Sequence, residues 1–441
     1  MAAMRPSFTA TSARNSGAPV PSATRPPSKT RSSGALLELP GGGPAEKASS
    51  RAAARTAGAS RSFRIGRVYD HRDAARIHSG RAAPPVRSTG AQGRASALLE
   101  SLVAIPSVTG EEAEIVDFLD ARFRGAGWIV ESIPVSQGRR DLFIHHGRPR
   151  VVLTTHADTV PPYFPPRREG GTLFARGACD AKGSLAAMVV ALEELSEQGA
   201  GLLVVVGEER GSDGARAANA HSQEVRYLVG GEPTGNRFPS GSKGCLRVVL
   251  ETRGVAAHSS MSTAEGAHSA VAPLLDVLQG LRGLEFPVDP LFGQTTMNVG
   301  VLEAGTAPNV VAERGRAEVL FRTGIPVDAV LERVRQAARG LAEVTVPYRS
   351  DPIAFATPRG KASDRGIVSF ACDLPLLDSW GVPILVGPGS IEHAHSAEER
   401  VELSEVEDAV PLYRKLVSGL LASGDGILEA YGRAKSRVPS A

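Results

Sequence analysis

The sequence predicts an α/β fold in which a larger domain, built on a mostly parallel sheet, is interrupted by a smaller inserted α+β domain. Two observations predict the sheet. Short, wholly apolar strands alternate with amphipathic helices, and acidic residues directly follow several of these strands. A third predicts the insertion, because the order of elements changes to β-α-β-β-α-β between residues 241 and 352. A chain of 441 residues is long enough for two folded domains.

Residues 1–92 are predicted to be a disordered basic leader, because they are rich in Ser, Ala, Arg, Gly and Pro and contain few large apolar residues. The first 90 residues hold 15 Lys and Arg against 4 Asp and Glu, whereas the rest of the chain holds 35 against 43. Three interpretations of the leader stay open: an over-extended start, which we favour, an organellar transit peptide, or an arm that binds nucleic acid. The acidic remainder indicates no nucleic-acid partner for the folded part.

The composition also excludes several classes of protein. No apolar run approaches the roughly 18 residues of a membrane-spanning helix, and the first residues lack the apolar core of a secretory signal. Three cysteines (Cys179, Cys245 and Cys372) are too few, and odd in number, for a disulfide scaffold. We therefore expect no membrane partner and a cytoplasmic location, or an organellar one if the leader is a transit peptide.

The first part of the larger domain, residues 93–240, alternates helices with strands. Apolar residues at helical spacing predict helices over residues 95–105, 111–127 and 184–199. Short apolar runs predict strands over residues 151–158, 201–206 and 227–233.

Residues 241–352 are predicted to form the inserted domain, residues 353–428 the second part of the larger domain, and residues 429–441 a tail. The strands expected in the insertion are 245–254, 294–305, 314–324 and 343–350, and its helices are 265–284 and 327–342. The second part is predicted to contain a helix over 364–374, a buried strand over 382–389 and a final helix after Ser404, with Glu407 completing a capping box.

Histidine and carboxylate side chains follow the strands of the larger domain, namely His156, Glu208, Glu209 and Glu232. The carboxyl ends of parallel strands meet at one edge of a sheet, where ligands bind, and carboxylates are costly there unless they bind something. Because neighbours in an extended chain point to opposite sides, Glu209 would bind a cation while Glu208 handles a proton as general base. The pattern indicates a hydrolase with two metal ions.

His156 and Asp158 form an H-x-D motif at a strand end. Alternation places both on one face, so the carboxylate would accept the ring N–H and fix the tautomer that binds metal; the alternative is a buried histidine satisfied by a carboxylate. Asp180, in a glycine-flanked loop, suits a bridge between two cations, or alternatively caps the helix that follows. Cys179 beside it is expected to be structural.

His393 and His395, late in the chain, compete for the place of a second nitrogen ligand, and we prefer His395. Three carboxylates and two neutral imidazoles around two divalent ions leave a net charge of about +1. That charge would lower the pKa of a bridging water toward 7, and Glu208 would take its proton. Such a site suits zinc, with cobalt or manganese as alternatives.

Three polar residues of the insertion are candidates for substrate contacts: His258, Asn309 and Arg322. A neutral His258 that donates a hydrogen bond would stabilise an oxyanion, although the sequence alone favours an ordinary surface histidine. A guanidinium at Arg322 would hold a substrate carboxylate bidentately, or would be an ordinary arginine at the end of a strand.

Together these motifs resemble the metal-dependent deacylase and peptidase family of acetylornithine deacetylase, succinyl-diaminopimelate desuccinylase, aminoacylase and glutamate carboxypeptidase. The resemblance covers about residues 95–425 and rests on HADTVP, GACDAKG, GEERGSDGARAAN, GEPTGN, GVAAHSS and IEHAHSAEE, in this order. It implies that His156 and Glu232 bind one metal ion, that Glu209 and His395 bind the other, and that Asp180 bridges them.

The resemblance also implies functions beyond the metal ligands. Glu208 would be the base and Asp158 would support the catalytic set. The insertion would be a dimerisation domain that presents His258 to the partner's active site, and Arg322, with Asn309 nearby, would bind the substrate carboxylate. A cis peptide would follow Asp180. The leader has no counterpart in the family, and Ala181 stands where the family usually has an acidic residue.

Within this family the motifs are most similar to the acetylornithine and acetyl-lysine deacetylase branch. The implied substrate is an N-acylated amino acid, which would place the enzyme in amino-acid biosynthesis, specifically arginine biosynthesis, as a homodimer. Alternatives with the same metal centre are a succinyl-diaminopimelate desuccinylase and a dipeptidase or carboxypeptidase that takes short peptides. A metal-binding dimer without activity is disfavoured, because Glu208 and every implied ligand are present.

Overall fold

The computed structural model describes residues 93–195, 199–221, 224–262, 267–361 and 366–429. The predicted leader, residues 1–92, and all of the predicted tail but its first residue lie outside these ranges. Within them, no helix combines the length and the apolar character that crossing a bilayer requires.

Six of the seven α-helices in the described ranges occupy segments that the sequence predicts. The exception is α4, whose alanine-rich sequence offers no large apolar residue as a signal. The apolar helix α3 is buried along nearly its whole length, because α1 and α7 both pack against it. The helices are α1 (Arg94–Val103), α2 (Ala113–Gly125), α3 (Lys182–Glu194), α4 (Asp213–Ala220), α5 (Val271–Arg282), α6 (Val327–Ala338) and α7 (Leu403–Ser423).

The strands fall into four sheets. They are β1 (Ile129–Ser136), β2 (Arg139–His145), β3 (Val151–His156), β4 (Arg167–Glu169), β5 (Thr172–Phe174), β6 (Ala200–Val205), β7 (Tyr227–Gly230), β8 (Gly241–Ser242), β9 (Gly244–Arg253), β10 (Thr296–Ala304), β11 (Arg314–Thr323), β12 (Glu343–Ser350), β13 (Ile353–Ala354), β14 (Ile367–Val368), β15 (Val382–Leu385) and β16 (Arg400–Glu402).

The largest sheet has six strands in the order β1-β2-β6-β3-β7-β15. The last four run parallel, whereas β1 and β2 form an antiparallel hairpin at one side. The prediction of a mostly parallel α/β sheet is therefore confirmed, although the sequence did not reveal the hairpin. Strands β3, β6 and β7 are buried along their whole length, and their carboxyl ends lie at the same edge of the sheet.

A second sheet, β10-β11-β9-β12, is antiparallel throughout. Helices α5 and α6 pack on it, and alternate residues of β9 (Leu246, Val248 and Leu250) point into the core between them. The order of elements is β9-α5-β10-β11-α6-β12, which confirms the predicted β-α-β-β-α-β plan.

The chain leaves the larger domain and returns to it along two paired segments. Strand β13 pairs antiparallel with β8, so that Ile353 lies opposite Ser242 and Ala354 opposite Gly241. Because both crossings lie side by side, we propose residues 241 and 352 as the limits of the insertion.

Two local predictions in the second part of the larger domain were wrong. The described part of 364–374 contains no α-helix. Instead, β14 pairs with β8, and a short 3-10 helix begins at the end of the range, at Leu374–Leu376. The apolar residues Val368, Phe370, Cys372 and Leu374 recur every second position, which is the period of a strand.

The predicted capping box of α7 is also absent. The helix begins at Leu403 without a side-chain cap. Glu407 instead accepts hydrogen bonds at 2.7 Å from the backbone N–H and the hydroxyl of Ser96, which ties α7 to α1.

Candidate metal centre

Four strand ends bring the predicted site residues to one edge of the six-stranded sheet. His156 ends β3, Glu232 lies two residues after β7, and the loop after β15 carries His395. Glu208 and Glu209 follow β6 as part of a 3-10 helix, Glu208–Arg210, and not as extended chain. The argument from alternation along an extended chain was therefore wrong, although the helical turn also gives the two carboxylates different surroundings.

Five of the predicted site residues form two groups that could each hold a metal ion. One group is His156, Asp180 and Glu232, and the other is Asp180, Glu209 and His395; within each group the ligand atoms lie within 4.8 Å of one another. Asp180 belongs to both groups. Glu208 belongs to neither, yet it lines the same cleft.

The distances within the groups fit a pair of cations that share Asp180. Each carboxylate oxygen of Asp180 contacts a different histidine. Oδ1 lies 3.1 Å from Nε2 of His156, and Oδ2 lies 3.3 Å from Nε2 of His395. Glu209 lies 3.0 Å from the same nitrogen of His395. A set of imidazole nitrogens and carboxylate oxygens is suited to zinc, cobalt or manganese.

The pKa values show how strongly this site favours positive charge. Burial raises the pKa of Glu232 well above its ordinary value, and negative neighbours, Asp180 among them, add to the effect. Hydrogen bonds to Asp180 and Glu209 raise the pKa of His395 to about 10. Burial opposes the charge of Asp180, but hydrogen bonds from His156 and His395 keep its pKa below the ordinary value. Cations would relieve this concentration of carboxylates.

The contact between Asp158 and His156 differs from the predicted one. The ring nitrogen Nδ1 lies 2.9 Å from the main-chain carbonyl of Asp158 and 3.5 Å from its carboxylate. The carboxylate instead accepts hydrogen bonds from the backbone N–H groups of Gly207, Glu208 and Glu209, at 2.9 to 3.3 Å. The fully buried Asp158 thus fixes the tautomer of His156 through its backbone and holds the 3-10 helix through its side chain.

The loop that carries Asp180 is held by Glu399, which sequence reasoning missed. Oε1 of Glu399 accepts the backbone N–H of Cys179 at 3.2 Å and that of Asp180 at 3.1 Å. Oε2 accepts a hydrogen bond from Arg176 at 2.6 Å, and both partners are buried. The acidic residue close behind the late histidine was the available signal. The peptide bond between Asp180 and Ala181 is cis, as the resemblance implies.

The two late histidines and Cys179 lie differently with respect to the two metal groups. His395 reaches the second group, whereas His393 belongs to neither. Cys179 is also outside both groups, and its buried thiol donates a hydrogen bond at 3.0 Å to the carbonyl of Ser390. His395 therefore stays the proposed ligand, and a structural role for Cys179 stays a prediction.

A cleft of about 280 Å³ opens above the two groups. Its wall on the side of the insertion is one face of the second sheet, where Arg322 on β11 lies opposite Cys245 on β9 and Arg247 lies opposite Tyr348 on β12. The sheet therefore brings the predicted Arg322 to the same cleft as the metal groups.

His258 and Asn309 are not brought to this cleft. Both are exposed, and they lie together on the insertion, where the backbone N–H of Ser259 donates to the carbonyl of Asn309 at 2.9 Å. The ring of His258 contacts the hydroxyl of Ser260 at 2.9 Å. Neither residue lines the cleft of its own subunit.

Comparison with known proteins gives consistent matches. The sequence profile of peptidase family M20/M25/M40 matches residues 152–419. A peptidase M20 domain-containing protein of Schizosaccharomyces pombe is 35% identical over 341 residues, which cover 73% of this chain and 83% of the relative. A protein of Aspergillus flavus named "probable carboxypeptidase" is 31% identical over 369 residues, covering 73% and 86%. Among solved structures, a tripeptidase from Staphylococcus aureus shares the fold with a TM-score of 0.63 at 22% identity, covering 74% of this chain and 98% of that one.

Proposed function

The chain belongs to peptidase family M20/M25/M40 and is a metal-dependent hydrolase, and on this premise we propose that it cleaves the amide bond of N-acyl amino acids. The observation that carries the proposal is the position of Glu208. Its carboxylate lines the cleft beside both metal groups but belongs to neither, so it is available to move a proton.

In this proposal His156 and Glu232 would hold one divalent cation, Glu209 and His395 would hold the second, and Asp180 would contribute to both. Bound cations would polarise the scissile carbonyl and lower the pKa of a bound water. Glu208 takes a proton from the water and returns it to the departing amine. We propose zinc, with cobalt or manganese as alternatives that the same donor set accepts.

Arg322 supports a substrate with a free carboxylate. Its side chain lines the cleft, and no described residue forms an ion pair with it. A guanidinium binds a carboxylate through two parallel hydrogen bonds, so Arg322 would orient the amino-acid half of the substrate. Acetylornithine is the member of this class to which the motifs point, and succinyl-diaminopimelate is an alternative.

A second candidate is a carboxypeptidase or dipeptidase that uses the same residues on short peptides. The relatives named "probable carboxypeptidase", such as the Aspergillus flavus protein, favour it. A peptide with a free C-terminal carboxylate would bind Arg322 in the same way, so the two candidates differ only in the acyl side of the amide.

A homodimer would complete the site with His258. The edge strand β10 has only β11 as a neighbour, and Leu302 on β10 and Leu275 on α5 are each about half exposed (53% and 51%). An open, apolar strand edge is suited to pairing with a second copy. We propose that this edge forms a twofold interface, and that the partner's His258, with Asn309 beside it, reaches the cleft.

The three buried, free cysteines support a reducing compartment, so we propose a cytoplasmic location.

The decisive experiment is a screen of N-acyl amino acids and short peptides with added zinc or cobalt. We expect release of a free amino acid from an N-acyl amino acid. The variant Glu208→Gln is expected to keep its two metal ions and to lose at least 100-fold in kcat, since general base catalysis contributes roughly 10²–10⁴. If Glu208→Gln retained wild-type kcat, Glu208 would not be the base. If dipeptides were cleaved and no N-acyl amino acid was, the second candidate would replace the first.

A further inference from the structure

Two guanidinium groups in the cleft lack a partner among the described residues. Arg210 directly follows Glu209 in the 3-10 helix, and Arg322 lies near the end of β11 in the opposite wall. Both line the cleft. Neither side chain makes a hydrogen bond or an ion pair with another described residue.

The third guanidinium of the cleft, that of Arg247, already has a carboxylate partner. Its Nε donates to Glu318 at 2.9 Å, and Glu318 also binds Arg316 on the same strand. Arg247 therefore contacts a carboxylate of the protein, whereas Arg210 and Arg322 contact none among the described residues.

The charges of the cleft leave these two cations uncompensated. The acidic residues that line it are Asp180, Glu208, Glu209 and Glu232, and two divalent ions at the proposed metal sites would offset their four negative charges. Arg210 and Arg322 would then have no counter-charge within the cleft. A ligand with two anionic groups supplies what the described side chains do not.

We propose that the cleft selects substrates with two carboxylates, one bound by Arg322 and the other by Arg210, so that Arg210 determines specificity. This inference rests on the proposed function and narrows its substrate class. The second carboxylate lies either on the side chain of the amino acid or on the acyl group. A cationic side chain such as that of ornithine would be repelled by Arg210, so acidic substrates are expected to be better than acetylornithine.

The test compares acids with amides of the same shape. N-acetylglutamate is compared with N-acetylglutamine, and N-succinylalanine with N-succinamoylalanine, so that the two pairs distinguish the side chain from the acyl group. We expect kcat/KM to favour the acid about tenfold or more in at least one pair, because a hydrogen bond between charged groups contributes about 1.5–3 kcal/mol. Arg210→Gln should abolish this preference, so that kcat/KM for the acid falls to that for the matching amide. Arg253→Gln, an exposed arginine outside the cleft, removes the same charge and should leave the preference intact.

Binding measurements separate this inference from the proposed function. The same four compounds are titrated calorimetrically into metal-loaded Glu208→Gln, with and without Arg210→Gln. Tighter binding of an acid that disappears with Arg210→Gln supports the inference even if none of the compounds is hydrolysed, which would overturn the proposed function alone. Equal binding and turnover of acids and amides, or a preference that survives Arg210→Gln, would overturn the inference and leave the proposed function standing.

Discussion

At the scale of single residues, Glu399 shows how the Asp180 loop is held in place. Its carboxylate accepts two backbone N–H groups of that loop and the guanidinium of Arg176, and it is only 1% exposed. His395 lies four residues before it. Glu399 therefore connects the loops of two proposed metal ligands, which makes it a positioning residue.

We predict that Glu399→Gln weakens metal binding and destabilises the fold. Removing one partner of a buried ion pair typically costs about 3–5 kcal/mol, and Arg176 would be left buried without a counter-charge. The free energy of unfolding, measured without added metal, and the affinity for zinc, measured by calorimetry, should both fall.

The neighbouring Glu398 provides a matched control. Its side chain is 68% exposed and lies 3.5 Å from Arg167, which is also exposed, so Glu398→Gln should change stability and zinc affinity little. Equal zinc affinity for the two variants would show that Glu399 does not position the metal ligands.

Asp141 makes stability depend on pH away from the metal ligands. Burial is the main reason that the pKa of its carboxyl is raised to about 8, and the negative charges of Asp373 and Asp213 raise it further. The hydrogen bond from the backbone N–H of Val206 and the charge of Arg139 lower the pKa. A carboxyl whose pKa is higher in the folded protein binds more protons there than in the unfolded chain. Its contribution to stability is therefore lost as the pH rises from about 4 to about 8.

We predict that Asp141→Asn reduces this loss. At pH 5 the buried carboxyl is protonated and resembles the amide, so the two proteins should unfold at similar denaturant concentrations. At pH 8 the variant should be more stable by several kcal/mol, because only the wild type carries a buried carboxyl whose pKa is raised to about 8. Urea unfolding at both pH values measures the difference. A variant that loses stability equally at both would contradict the assignment.

At the scale of elements, the short 3-10 helix after β6 is the part most sensitive to backbone geometry. It begins after Gly207, whose φ is 81°, and its N–H groups are held by Asp158. A Cβ at Gly207 would collide with the carboxylate of Asp213 and lie 2.7 Å from the guanidinium of Arg139. Glycine is required here by both the positive φ and the lack of space.

We predict that Gly207→Ala lowers kcat about 100-fold, because it displaces Glu208 and Glu209, and misplacing a catalytic group by about 1 Å is enough for such a loss. Gly127→Ala is the control, since Gly127 has a φ of 83°, an added Cβ would have nothing within 4 Å, and the residue lies outside the cleft in the loop after α2. The control should be destabilised by about 1–2 kcal/mol, because alanine is also strained at a positive φ. Its kcat should stay unchanged. Equal kcat for the two variants would contradict the explanation.

At the scale of the whole molecule, the proposed homodimer would add a residue of a second copy to the site. The cleft is lined by Glu208 and by the proposed metal ligands Asp180, Glu209, Glu232 and His395, but His258 lies outside it. The open edge of β10 would join two insertions and bring the partner's His258 to the cleft.

We predict that mixing two inactive variants restores activity. His258→Ala and Glu208→Gln dimers are mixed in equal amounts and allowed to exchange subunits. Half of the dimers are then mixed, and each has one complete site, so about a quarter of wild-type activity should return. Mixing Glu208→Gln with Glu232→Gln is the control and should restore nothing, because both changes damage the subunit's own site. No recovery in the first mixture, although subunits have exchanged, would rule out His258 acting in trans.

Much of the fold could be predicted because its signals are local. The period of apolar residues gave six helices, the buried parallel strands and the order of the inserted elements. The wrong or missing predictions also arose from local patterns. The period of two in 366–374 was mistaken for a helix, and α4 has too few large apolar residues to give a signal. The hairpin of β1 and β2 was not predicted: β1 is mostly exposed, although β2 carries the buried apolar run Leu142, Phe143 and Ile144.

The order of residues already limits which side chains can form the site, because carboxylates and histidines that follow buried parallel strands share one edge of the sheet. How these side chains meet depends on the packing of the whole fold. His395 contacts Glu209 across 186 positions, and Glu399 holds the backbone of Asp180 across 219. It likewise placed Arg210 and Arg322 in one cleft and His258 outside it. Contacts at such separations depend on how elements pack, which no local period in the chain records.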